Sequence, residues 1–248
     1  MMKKTIHAIV CAAFLLGCCA SAAARNAERE ELGRPDLARI AEASTDENSP
    51  YYYPRLLEQF MANDTTMTTE AFQYFYYGTM FQEDYDPYRE SPNPTLLAEL
   101  TPIYAKSNRT RADRGKMLDY AVQVIQDNPV DLRQITNRIY VYEQNRKYDL
   151  AKVWQYKLNH LLLVIAASGN GTSAESAWTV VYPQHEYDFL NLSGLTATSQ
   201  KFEPPHFDYI TVTKRNGSDP DGYFFDIEEM LRQYFAKHPS ELGETAAE

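Results

Sequence analysis

Every cysteine of this chain lies within its first nineteen residues: Cys11, Cys18 and Cys19. Beyond that point no disulfide can form and no thiolate is available. The remainder must therefore hold together by core packing, and cysteine nucleophiles, zinc–thiolate sites and iron–sulfur clusters are excluded from it. Packing suffices at a length of 248 residues, where about 70% of the unfolded surface is buried on folding into one domain or two close ones.

The same nineteen residues carry an address. Lys3 and Lys4 precede an apolar run over 6–17, and small residues follow through Ala24. A basic start, a short apolar stretch and a small-residue exit form an export signal. At about 1.5 Å per helical residue, positions 5–17 reach roughly 20 Å, short of the roughly 30 Å hydrocarbon core, so the segment is not a permanent span. Two exits are open. Leu15-Leu16-Gly17-Cys18 resembles a bacterial lipobox, which would make Cys18 an acylated N-terminus. Ala22-Ala23-Ala24 before Arg25 has the small-x-small form of ordinary cleavage, which would free the chain. The formal charge of −10 argues against nucleic acid and against a polybasic membrane patch, leaving a lipid anchor as the one expected membrane contact.

Residues 25–50 are rich in Glu, Arg, Asp, Asn and Ala and read as a polar tether, within which Leu37, Ile40 and Ala41 could line one short helix. The globular part is expected over 51–236, with a helical body at 51–168, an α+β part at 169–236 and a polar tail at 237–248. Pro54 suits a helix's first turn, with Leu56, Leu57, Phe60 and Met61 on its apolar face. Thr68 or Thr69 can cap the next helix, carrying Phe72, Phe75, Tyr76 and Met80. Prolines 87, 92 and 94 mark a loop. Further helices follow through Leu96–Ile103, Met117–Ile125, Ile135–Tyr142 and Ala151–Ile165, the third opened by Asp131 and Gln134 and the last stopped by Ser168-Gly169-Asn170-Gly171. Residues 116–167 resemble one and a half tetratricopeptide repeats, and a generic antiparallel helical hairpin fits them as well.

The last third changes type. Residues 177–182, 208–213 and 222–227 are dense in β-branched and aromatic residues and predict three strands, the last two forming an antiparallel hairpin across a loop rich in Asn, Gly, Ser, Asp and Pro. Residues 186–195 and 227–236 predict short helices. The expected fold is α+β, a mostly helical body with a small C-terminal antiparallel sheet.

Tyr51-Tyr52-Tyr53-Pro54, Asn63-Asp64-Thr65-Thr66, Tyr74-Phe75-Tyr76-Tyr77-Gly78, Phe81-Gln82-Glu83-Asp84-Tyr85 and Gly169-Asn170-Gly171-Thr172-Ser173 together resemble the domain-of-unknown-function family 4919, over roughly 49–235. The resemblance implies an exported protein of a Gram-negative bacterium, periplasmic or held to a membrane as a lipoprotein. It supplies no catalytic residues.

Chemistry is sparse. Residues 72–88 combine aromatic rings with Glu83, Asp84 and Asp86, and rings beside acids are how sugar clefts stack a pyranose and hold its hydroxyls. Phe72, Phe75 and Tyr76 at helical spacing are most simply core. Tyr77, Glu83, Asp84, Tyr85 and Tyr88 are the ligand-binding candidates. Asp219, Asp221 and Asp226 invite a calcium loop, but the distal Glu is missing and a hairpin turn explains them better. His185, Glu186 and Asp188 could ligate a metal, yet no HExxH pair occurs and His160, His206 and His238 stand isolated in the sequence. No nucleophile elbow or phosphate loop is present. No cofactor and no catalytic residue is expected. The expectation is a non-enzymatic binding or scaffolding protein of the cell envelope, its partner an envelope protein or a glycan. The rival is a carboxylate-dependent hydrolase or binding protein acting on glycans.

Overall fold

The computed structural model describes residues 29, 32–214, 217 and 219–241. The expected export signal, Cys18 and Arg25 lie outside them. The chain divides into two compact units, Asp36–Leu162 and a second made of Met1–Pro35 with Leu163–Glu248.

The first unit is helical: α1 (Leu37–Thr45), α2 (Tyr53–Met61), α3 (Thr69–Gly78) running into a 3-10 turn (Thr79–Phe81), α4 (Pro94–Tyr104), α5 (Arg111–Asp127), α6 (Leu132–Gln144) and α7 (Tyr148–Ala167), whose last residues belong to the second unit. Folded structure begins earlier than the polar composition of 25–50 suggests. Asp36 accepts the Arg39 N–H to start α1, and Ile40 and Ser44 are buried. Two inward positions suffice to dock so short a helix, whose remaining residues are half-buried or exposed. Gly78 permits this approach, since a Cβ there would meet Ser44 Cβ at 3.1 Å.

Pro54 sits in the first turn of α2, and Thr68 caps α3 by accepting the Ala71 N–H. Apolar on every side, α3 is buried from Ala71 to Gly78, as such a helix must be. Its Phe72 and Phe75 meet Phe60 of α2, with centroids 6.2 and 4.8 Å away, and Trp154 of α7 stands edge-on to Phe60 at 6.1 Å. A second cluster joins Leu100, Ile103, Met117, Tyr120, Val124 and Val141 of α4, α5 and α6. Thr110 and Asp113 close a reciprocal capping box on α5, and Asp131 accepts the Gln134 N–H at the start of α6.

One side chain in the aromatic core is charged chemistry. Lys157 is only 1% exposed. Its Nζ lies 3.7 Å from the Trp154 ring centroid and 4.4 Å from that of Phe60, and it donates to Asn63 Oδ1 at 2.8 Å. Asn63 takes the left-handed conformation (φ 61°) in the turn after α2, which asparagine tolerates well. Burial, and less so the Arg138 guanidinium, push the Lys157 ammonium down to about 7. Between that value and the unfolded 10.5 the unfolded chain binds the additional proton, so this group makes stability rise with pH across 7–10.5 and leaves its full cost in place below 7.

The second unit holds a four-stranded sheet in the order β1-β4-β3-β2: β1 (Trp178–Thr179), β2 (Ala197–Glu203), β3 (Phe207–Val212) and β4 (Gly222–Asp226), with α8 (Pro183–Leu192) and α9 (Glu228–Lys237). The sheet is mixed rather than purely antiparallel, because β1 runs parallel to β4. The run 177–182 is wholly buried but contributes only two paired residues, since Pro183 opens α8 directly afterwards. The β2 strand was not expected. Its ATSQKFE sequence is polar and exposed along an edge, without the apolar alternation that marks a half-buried strand.

The turn after α7 explains its glycines. A Cβ on Gly169 would lie 2.2 Å from the Ser176 carbonyl oxygen, and Gly171 (φ +70°) lies under the Trp178 ring. Trp178 Nε1 donates to Gly169 O, and the Phe224 N–H donates to Gly171 O, so the turn is bonded into the sheet.

Two stability outcomes follow. Lys157→Met should raise the thermal midpoint at pH 6 by ~3 °C or more, the shift that about 1 kcal/mol produces in a chain of this size, and should flatten the rise of stability from pH 7 to 10 in denaturant titrations. Gly169→Ala should destabilise by about 1–3 kcal/mol through overpacking, measured the same way.

Candidate functional site

The antiparallel register of β3 and β4 pairs Phe207 with Asp226, Tyr209 with Phe224 and Thr211 with Gly222. Burial along β3 alternates, with Asp208, Ile210 and Val212 buried and Phe207, Tyr209 and Thr211 half-buried. Paired residues share a face, so Phe207, Tyr209 and Phe224 form a half-exposed aromatic row on the outer face. The Tyr209 and Phe224 centroids are 4.7 Å apart. From β2, Ser199, Lys201 and Glu203 join this face opposite Thr211, Tyr209 and Phe207, and Lys201 pairs with Glu203 at 2.7 Å.

At one end of the row three potential ligands meet. His206 directly precedes β3, Asp226 closes β4 and Glu228 opens α9. Nε2 of His206 lies 4.0 Å from Asp226 Oδ1 and 3.7 Å from Glu228 Oε2, and all three donor atoms fall within 4.8 Å of one another. The Ile227 N–H donates to His206 O, and the Glu228 N–H donates to Asp226 Oδ1 at 3.1 Å. Arg34 donates to Asp226 Oδ2 at 3.3 Å and to Glu175 O. His206 stands isolated in the sequence because its two partners lie twenty or more positions away and are gathered only by the strand register.

The inner face holds a second polar group. Glu186 of α8 is fully buried and Asp208 nearly so. No donor reaches either Glu186 oxygen as a carboxylate, whereas as a carboxylic acid Glu186 donates to Asp208. Burial, then the neighbouring negative Asp208, raise its pKa well above the ordinary value, and burial raises that of Asp208 as well. The two share a proton. Gln200 Nε2 donates to Asp208 Oδ2 at 2.8 Å, and the Tyr187 hydroxyl donates to Gln200 Oε1. Hydrogen bonds thus lead from the buried acid to exposed Gln200.

The sequence-predicted candidates fall apart by burial. Tyr77 and Tyr85 are buried, so neither offers a ring face at the surface. Glu83 and Asp84 are exposed, and Tyr88 is 51% exposed. Asp84 pairs with Arg89 at 3.5 Å, and Arg89 pairs with Asp127 at 2.8 Å. The ionic partner of Asp84 is therefore a guanidinium rather than a second carboxylate. Asp221 pairs with Lys214 at 2.7 Å, a strand's length from Asp226. His185 is buried with its ring edge-on to Tyr182, His160 stacks on Phe72 and His238 on Tyr234.

Fold and site thus define an α+β protein with a helical unit and a small mixed sheet that offers aromatic rings on one face and a cluster of potential ligands at its end. The family described as Domain of unknown function (DUF4919) matches residues 38–236, and the chain belongs to it. No curated protein and no solved structure matches. Among the described residues, no helix is long and apolar enough to cross a membrane.

The shared proton has a measurable sign. Above the ordinary glutamate value the unfolded chain has released a proton that folded Glu186 still holds, so stability falls as pH rises through that window. Glu186→Gln keeps a donor toward Asp208 and should remove this loss. The expected result is a thermal midpoint at pH 8 at least ~2 °C above the parent, on the scale that about 1 kcal/mol sets, with the difference vanishing near pH 4.

Proposed function

We propose that this is an exported, non-enzymatic binding protein of the bacterial cell envelope, and that it recognises glycans on the outer face of its sheet. The observation that carries this reading is the half-exposed row of Phe207, Tyr209 and Phe224 with Lys201, Glu203 and Asp226 beside it. Ring faces take the apolar side of a pyranose, and flanking charged groups take its hydroxyls. The export signal puts the chain where such polymers are found, either free in the periplasm or tethered through an acylated Cys18.

Pull-down on insoluble peptidoglycan and calorimetry with soluble envelope polysaccharides test this reading. Tyr209→Ala and Phe224→Ala should each weaken retention at least ~10-fold, as loss of about 1.4 kcal/mol of stacking requires, with unchanged circular dichroism. Failure of every glycan to bind, or full retention by both variants, would sink it. Mass spectrometry of the mature N-terminus separates an acylated Cys18 from a free Arg25, and an intact Met1 in envelope fractions would overturn export.

A further inference from the structure

We propose that His206, Asp226 and Glu228 bind a divalent cation of the zinc class. Around zinc at 2.0–2.2 Å, the donor atoms of a tetrahedral shell stand about 3.4 Å apart. The 4.0 and 3.7 Å separations from His206 Nε2 to the two carboxylates close to that value with shifts of less than about 1 Å, and the separation between the carboxylates, within 4.8 Å, with one of less than about 1.5 Å. Glu228, with its side chain 66% exposed, is free to make such a movement.

The three groups are mounted on rigid backbone. The Phe207–Asp226 register pair and the Ile227 N–H to His206 O bond hold the start of β3 against the start of α9. Asp226 is oriented by Arg34 from one side and by the Glu228 N–H from the other, the outer-shell support that ligating carboxylates require. An imidazole with two carboxylates favours zinc and its transition-metal neighbours over calcium, which needs six to eight oxygen ligands. Two negative charges match the cation, and Arg34 offsets part of the charge on Asp226. Three protein ligands leave a fourth position for water or a bound group.

The rival explanation is that a protonated His206 simply pairs with both acids. Calorimetric titration of the purified, EDTA-treated chain with zinc chloride and, separately, calcium chloride distinguishes the two. The expected result is one zinc per chain, no comparable calcium heat, and at least ~10-fold weaker zinc binding in His206→Ala and in Glu228→Gln, the scale set by loss of a ligand. Because Glu228 is exposed, its variant serves even if His206→Ala disturbs the fold. Absence of stoichiometric zinc binding, or zinc binding that both variants leave unchanged, overturns the proposal. It does not rest on glycan recognition, since the titration contains no glycan.

Discussion

The register between β3 and β4 organises the whole second unit. Because side chains alternate along a strand, pairing Phe207 with Asp226 decides at once which residues face outward and which face the core. A slip of one residue would turn Asp208 to the outside and bury Tyr209. With the observed register, the outer face receives rings and, at its end, Asp226, which His206 reaches from the residue before β3, while the inner face receives Ile210, Val212 and the acid that meets Glu186. The Gly222 position enforces this arrangement locally, since a Cβ there would lie 2.8 Å from Tyr209 Cζ and 2.5 Å from Ile210 O.

Each unit also carries a buried ionisable group that is handled by discharging rather than by ion pairing, Lys157 in the first and Glu186 in the second. Lys157 loses its proton more easily among Phe60 and Trp154, while Glu186 keeps its proton against Asp208. A buried pair of opposite charges would need complete hydrogen bonding to offset desolvation. Here the rings and Asn63 Oδ1 serve Lys157, and a single shared proton serves two carboxyl groups. The two responses to pH have opposite signs, since burial disfavours the charged form of an acid and of a base alike.

Much of the helical unit was legible in the sequence because its signals are local. Pro54 in a first turn, Thr68 as a cap, Asp131 accepting from Gln134 N–H, and the inward Met117, Ala121, Val124 and Ile125 each depend on residues within a turn or two. What escaped was non-local or lacked contrast. The β2 strand is polar throughout, and only its pairing with β3 makes it a strand. His206 looked isolated, and Glu186 reads in the sequence as a metal-ligand candidate beside His185 and Asp188, because the groups that give them meaning arrive through tertiary pairing. Tyr77 and Tyr85 misled in the other direction: aromatic density beside acids resembles a recognition surface, but Tyr77 lies on α3, which is enclosed from Ala71 to Gly78, and Tyr85 beyond it is buried too.

The motifs that carry the family resemblance prove to be largely architectural. Asn63 holds a left-handed turn and receives Lys157, Gly78 admits α1, and Gly169 and Gly171 make room for a carbonyl and an indole ring. None of these residues has to be retained for chemistry, because each is explained by a close approach that a larger or differently shaped residue would block. His206, Asp226, Glu228 and the outward rings lie outside those motifs and are gathered by the β3–β4 register. Framework and candidate site are thus separated in this chain, the framework written in short recognisable segments and the candidate site gathered at one end of a sheet by strand pairing.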